Sequence, residues 1–274
     1  MQAPYRRVAI IGMADVSADD AAGVQLRLLD AARDLDSSEL PDLYAYPVDR
    51  HGVWLRANFI ASLDGGATLG GKSGRLGGSG DRAVFSLLRE LADVILVGAG
   101  TVRAEGYAGA RPSLGQRAGR QARGQSEVPQ LAIVTKSGHV DRDMPVFTRT
   151  EVPPLVCTCA AAADETRRTL SGLADVIDCS GGDPGEVDAA AVLATLADRG
   201  LNRVLTEGGP MLFSSFVERN LLDELCLTIA PSLIGGQAGR IASGPGQVLT
   251  AMRRAHILTD GDGYLYTRYV RQDA

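Results

Sequence analysis

From residue 53 onward, short and mostly apolar runs alternate with stretches in which apolar side chains return every three or four positions. The runs are Trp54 to Ala61, Val94 to Val97, Leu131 to Val134, Leu155 to Cys157, Val204-Leu205 and Leu225 to Ala230. Such runs suit strands buried on both faces, as in a sheet sandwiched between helices. Between them, Asp81 to Leu91, Asp164 to Leu173, Val187 to Arg199 and Met211 to Asn220 carry helical spacing. Regular alternation of the two patterns predicts an α/β domain with a mostly parallel, twisted sheet flanked by helices.

Three regions depart from this rhythm. At the carboxyl end, Asp260-Gly261-Asp262-Gly263 separates Ala255 to Thr259 from Tyr264 to Val270, a hairpin signal that predicts an antiparallel ribbon closing one sheet edge. Tyr264, Tyr266 and Tyr269 there fit either a core or a subunit interface. At the amino end, Val24, Leu28, Ala31 and Leu35 follow the potential caps Asp19 and Asp20, so an appended helix ending near Pro41 is expected. The expected division is an extension over residues 1–50 and one domain over 51–274. Ala108 to Pro129 is rich in Gly, Arg and Gln and has no apolar period, which predicts a solvated, flexible loop. Arg117, Arg120 and Arg123 within it are available to hold a phosphate.

Composition narrows the function classes. The 274 residues are 45% hydrophobic with a formal charge of −5, an ordinary globular balance without a basic stripe. Aromatics make up only 5%, so nucleic acid finds little to bind. The longest uncharged stretch, Leu225 to Gly239, holds Pro231 and Gly235-Gly236 and falls short of the ~20 apolar residues of a membrane span. Arg6-Arg7 before Val8 to Ala14 reads as a first strand or loose leader rather than an export signal. Cys157, Cys159, Cys179 and Cys226 form no CxxC pair and there are three histidines, which indicates reduced thiols, a cytoplasmic location and no metal site.

Candidate chemistry gathers at three strand ends. Val94 to Val97 runs into Gly98-Ala99-Gly100-Thr101, where glycines permit a tight turn and let backbone N–H groups approach an anion. Arg103 occupies the place of the third glycine, so the dinucleotide fingerprint of an ordinary Rossmann domain is absent. Arg203 to Thr206 leads to Glu207-Gly208-Gly209-Pro210, with Pro210 suited to the first position of a helix whose open amides face the glycine pair. Glu207 would repel a phosphate there, so it serves either substrate and proton chemistry or a structural cap. The third end is Asn58 to Gly65, where Asp64 is either a polar group of the site or an Asx-turn residue.

In this order, Ser62-Leu63-Asp64-Gly65, Val97 to Glu105, Glu207-Gly208-Gly209-Pro210, and Leu221 to Leu225 with Ala230-Pro231 and Leu233 to Gly236 resemble the bacterial riboflavin-biosynthesis pyrimidine reductases, in a stand-alone form. The resemblance spans roughly residues 53 to 270. It implies a dihydrofolate-reductase-like fold and an NADPH-dependent reductase that turns the ribosylamino group of a pyrimidine ribose 5′-phosphate, of the 5-amino-6-(5-phosphoribosylamino)uracil type, into ribitylamino. It assigns the cofactor to Gly98, Ala99, Gly100 and Thr101, to Glu105, to Thr135, Lys136 and Ser137, and to Gly208, Gly209, Pro210, Met211 and Leu212 through Ser215. It assigns substrate contacts to Ser73, Arg89 and Glu207, and it implies a homodimer. Arg89 can grip a phosphate bidentately, and Lys136 can meet a 2′-phosphate.

Two positions depart from the family pattern: Asn58 stands where many members carry lysine, and Glu105-Gly106-Tyr107 where an Asp and a Pro are usual. Residues 1–52 contain no HxE and PCxxC deaminase signature. The catalytic reading is that Glu207 positions or protonates the substrate, with Asn58 and Asp64 completing the polar wall. The alternatives are a dihydrofolate or pteridine reductase on the same fold and an NADPH-binding module without turnover.

Overall fold

The computed structural model describes residues 33–48 and 52–272. The chain divides into a unit up to Leu40 and a unit from Pro41 onward. In the first, Asp36 caps the 3-10 turn Ser37–Glu39 in a reciprocal capping box. Arg33 pairs with Glu39 at 2.7 Å. Most of the expected appended helix lies outside the described residues. Pro41 does not end a helix but sits in the opening turn of α1 (Leu40–Leu43), a position where its missing N–H goes unused.

β1 (Trp54–Ser62) lies deep within a sheet ordered β5-β4-β3-β2-β6-β1-β7-β9-β8. The other strands are β2 (Val94–Gly98), β3 (Gln130–Val134), β4 (Leu155–Thr158), β5 (Asp175–Asp178), β6 (Arg203–Thr206), β7 (Glu224–Ala230), β8 (Met252–Thr259) and β9 (Leu265–Arg271). Neighbouring strands from β5 through β7 pair in parallel, and β9 is antiparallel to both β7 and β8. The fold class read from the sequence is therefore the one found, down to the carboxyl-terminal antiparallel pair. β5 had no separate signal, because its two apolar residues are enclosed by Asp175 and Asp178 at the sheet edge.

The helices are α2 (Ser79–Leu91), α3 (Ala99–Glu105), α4 (Leu114–Ala122), α5 (Pro145–Thr148), α6 (Ala160–Thr169), α7 (Ala189–Asp198) and α8 (Pro210–Glu218). Strand alternation feeds two cores. Val94 and Leu96 join Leu55, Val204, Val192, Leu196, Phe213 and Phe216 on one face, whereas Ile95 and Val97 join Val102, Ile133, Phe147 and Leu170 on the other. No helix among the described residues is long and apolar enough to cross a membrane.

The segment 108–129 is not the flexible loop its composition predicts. Ser113 and Gln116 form a capping box that starts α4, and Arg120 is wholly buried. Its guanidinium donates to the carbonyls of Ala92 at 2.5 Å, Glu90 at 2.8 Å and Ser126 at 2.8 Å. Arg117 pairs with Glu151 at 2.6 Å and Arg123 with Glu90 at 2.9 Å, so these arginines are spent on structure rather than on a phosphate. The helix has no apolar period because a charge latched to carbonyls, not a hydrophobic stripe, fastens it.

Tyr266 is buried and Tyr264 half-buried. Tyr264 donates to the Leu76 carbonyl at 2.9 Å and Tyr266 to Asp260 at 2.5 Å. Arg56 and Glu224 form a fully buried ion pair at 2.6 Å. Trp54 and Arg268 donate to the same carboxylate at 3.0 and 2.7 Å, and Arg268 also reaches the Leu43 carbonyl at 2.6 Å. Tyr46 lies 3.9 Å under the Arg56 guanidinium.

Candidate active site

β6 enters the sheet between β1 and β2, which sets the carboxyl ends of these strands side by side. Together with the end of β3 they wall a cavity of about 2030 Å³. Ligands in open α/β sheets sit at such a place, and the volume exceeds the ~300–1,000 Å³ of a typical single-ligand pocket.

The two glycine turns meet in its floor. Gly98 N–H donates to the Gly208 carbonyl at 2.8 Å, and a β-carbon at Gly98 would lie 3.6 Å from the Gly209 α-carbon. Gly208 has φ +99°, and a side chain there would come within 2.8 Å of the Phe59 ring, so only glycine fits. Gly209, at φ +80°, caps α8 with Pro210 in its first turn, as the sequence predicts. The first amides of α3 and α8 have no carbonyl partner inside their own helices and carry partial positive charge, which suits an anionic bridge laid across both turns. Gly98, Ala99, Gly100, Thr101, Gly209, Pro210, Met211, Leu212 and Ser215 all line the cavity, while Gly208 forms the back of the turn. The donor set and the double cradle fit a dinucleotide diphosphate.

Glu207 continues β6, its N–H bonded to the Leu96 carbonyl at 3.0 Å, and its carboxylate is 2% exposed. Arg89, from the last turn of α2, grips it in a fork: Nε to Oε1 and Nη2 to Oε2, both at 2.6 Å. Gly106, at φ +71°, ends α3 and turns the chain so that the Tyr107 hydroxyl donates to Oε2 at 2.7 Å. The Arg89 guanidinium lies 4.2 Å from the Phe85 ring centre and 5.4 Å from that of Tyr107. Burial opposes the arginine's charge, but the Glu207 carboxylate outweighs it and holds the guanidinium above its ordinary value. Burial, reinforced by the Glu207 charge, pushes the Tyr107 phenol well up, so it keeps its proton and acts as donor. In this arrangement Glu207 is a hydrogen-bond acceptor.

The remaining candidates divide between the cavity and its surroundings. Asn58 lines the cavity, and its amide has no protein partner among the described residues. Ser73 donates through N–H and hydroxyl to Glu105, both at 2.8 Å, which joins an expected substrate residue to an expected cofactor residue. Thr135, Lys136 and Ser137 line the far lobe, where Lys136 pairs with Glu186. Asp64 is absent from the lining. It accepts from Ser62 at 2.5 Å, from Ile234 N–H at 3.1 Å and from Gly235 N–H at 2.6 Å, and these bonds hold its carboxyl down at about 2. Arg89 is committed to Glu207 rather than left open.

Sequence reasoning missed Tyr107 and Glu186. Gly106 ends α3 in a left-handed conformation, but nothing local to the chain tells which distant carboxylate the next side chain meets.

Known proteins are similar to this chain in sequence and fold. A 2,5-diamino-6-ribosylamino-4(3H)-pyrimidinone 5′-phosphate reductase from Archaeoglobus fulgidus is 29% identical over 211 residues, covering 77% of this chain and 94% of that protein. The riboflavin biosynthesis protein RibD of Bacillus amyloliquefaciens is 32% identical over 188 residues, 68% of this chain and 48% of its own length, so the match spans about half of that relative. The crystal structure of a pyrimidine reductase-like protein from Corynebacterium diphtheriae superposes with a TM-score of 0.72 at 28% identity, over 80% of this chain and 92% of that one. The family model of the RibD C-terminal domain matches residues 53–266. The chain belongs to the RibD C-terminal domain family.

Proposed function

We propose that this protein is a riboflavin-biosynthesis reductase that converts the ribosylamino group of a pyrimidine ribose 5′-phosphate to ribitylamino, with NADPH as hydride donor. The observation that carries this reading is the placement of Glu207. A fully oriented carboxylate, held by three hydrogen bonds, stands beside two glycine turns and faces a cavity with room for two ligands. Named relatives reduce a pyrimidine of this kind.

Bound nicotinamide supplies the hydride. The chain's own work is positioning. Gly98 to Thr101 and Gly209 to Leu212 would hold the diphosphate, and Lys136 would meet the 2′-phosphate. Glu207 accepts hydrogen bonds from the hydroxyls or amine of the opened sugar. Asn58 offers an uncharged amide donor where a lysine would bring charge. Tyr107 and Arg89 donate to Glu207 and fix its orientation, which favours a positioning role. We further place the protein in the cytoplasm as a homodimer, with the β8–β9 hairpin at the contact.

The test measures NADPH oxidation with the ribosylaminopyrimidine phosphate and with dihydrofolate, together with single-turnover hydride transfer by Glu207→Gln. Turnover of the pyrimidine alone, and a loss of roughly 10²- to 10⁴-fold in hydride transfer, is expected. Unchanged transfer with weakened nucleotide binding would move Glu207 to the cofactor site.

A further inference from the structure

The far lobe of the cavity is formed where β3 ends and the loop before α7 returns. Lys136, Ser137, His139, Arg103 and Glu186 line it. Given the turn assignments above, this is where the adenosine half of a dinucleotide lies, and the inference rests on that reading.

The charges in this lobe are not those of a dedicated phosphate site. Lys136 is the cation that the strand end presents, yet its ammonium is already in contact with the Glu186 carboxylate. The two side chains are 63% and 56% exposed, so a ligand can reach both. The hydrogen bond and charge of Glu186 raise the Lys136 ammonium above its ordinary value. Arg103 spends Nη1 on the His139 carbonyl at 3.2 Å and has no carboxylate partner among the described residues. Glu165, also on this wall, is taken by Arg168 at 2.5 Å. Asp141 caps its own turn through Asp143 N–H at 2.9 Å.

We propose that Glu186 is a nucleotide-specificity residue: it competes with the 2′-phosphate for Lys136, so that the protein separates phosphorylated from unphosphorylated dinucleotides only weakly. A dianionic 2′-phosphate must either displace Glu186 from Lys136 or tolerate a carboxylate beside it. A free ribose hydroxyl meets no such repulsion and finds in Glu186 an acceptor, the role an acidic residue plays for the ribose in other dinucleotide sites. The pair is exposed, so its influence on affinity is modest and screened by salt.

Calorimetry on the full chain with 2′,5′-ADP and 5′-AMP isolates this lobe from catalysis. The expected result is that the two fragments bind the unaltered protein within about tenfold of each other, and that Glu186→Gln tightens 2′,5′-ADP about fivefold while leaving 5′-AMP unchanged or slightly weaker. Lys136→Met introduced into the Glu186→Gln protein abolishes that gain. If both fragments bind but Glu186→Gln leaves their ratio where it was, or if only Arg103→Gln moves it, the proposal is overturned and the cofactor reading stands. If neither fragment binds any variant, the assignment of this lobe to adenosine fails, and the role of Glu186 falls with it.

Discussion

Tyr107 and Arg89 donate to the same atom, Oε2 of Glu207, at 2.7 and 2.6 Å. One donor comes from just past the end of α3 and the other from the last turn of α2, so the carboxylate is aimed by two elements that belong to different parts of the wall. Arg89 also bonds Oε1, which leaves on that oxygen the larger share of free acceptor capacity.

Tyr107→Phe removes one donor and keeps the ring beside Arg89. Hydrogen bonds to charged groups contribute about 1.5–3 kcal/mol, so a fall of roughly ten- to a hundredfold in kcat/KM is expected while the melting temperature stays within a few degrees. Steady-state kinetics beside thermal melting separate the two effects. A variant with full activity would show that Arg89 alone aims Glu207.

Gly208 and Gly100 predict opposite outcomes for the same substitution. Gly208→Ala meets both a φ of +99° and the Phe59 ring at 2.8 Å, and should destabilise the fold by about 1–3 kcal/mol. A β-carbon at Gly100 meets nothing within 4 Å, so Gly100→Ala should melt normally and only weaken nucleotide binding. Denaturant titration and calorimetry on the two variants check this contrast.

The buried Glu224 gives stability an acid limit. Burial alone would raise its pKa, but the charge of Arg56, with Arg268, wins and brings the carboxyl from its ordinary 4.5 to about 2. The stabilisation is therefore complete above pH 4.5 and is lost as pH falls toward 2. Glu224→Gln should flatten the unfolding free energy across that window. It should also lower stability by about 3–5 kcal/mol at neutral pH, because Arg56 is left buried without its partner. Urea titrations at stepped pH measure both.

Arg120→Met should release α4, since four carbonyls lose a charged donor at once. Faster amide exchange across residues 114–122 is the expected signature, with nucleotide binding preserved. Loss of nucleotide binding without faster exchange would return this arginine to the ligand.

The sheet and both glycine turns were legible because they depend on local rules: apolar runs, tight turns that demand glycine, and a proline where a helix begins. Glu207 stood out for a related reason, being an acid in a place that attracts anions. What stayed hidden is non-local. The bonds of Tyr107 to Glu207 and of Glu186 to Lys136 join residues that only folding brings together. Arg120 misled in the other direction: its polar neighbourhood reads as a loop, although Ser113 and Gln116 held the pattern of a capping box. Asp64 has the short-range look of a turn residue, yet its partners at Ile234 and Gly235 lie far along the chain.

The link between Gly98 and Gly208 also bears on how the protein comes to be competent. More than a hundred residues separate the two turns, and they touch only after β6 has slotted between β1 and β2. Contacts of such long sequence separation form slowly. A nascent chain that already contains the first turn has only half of this paired-turn arrangement until the segment carrying β6 and α8 has emerged and inserted. On the proposed reading, nucleotide capture is a late event in maturation, and a fluorescent nucleotide added during refolding would report completion of the sheet's centre.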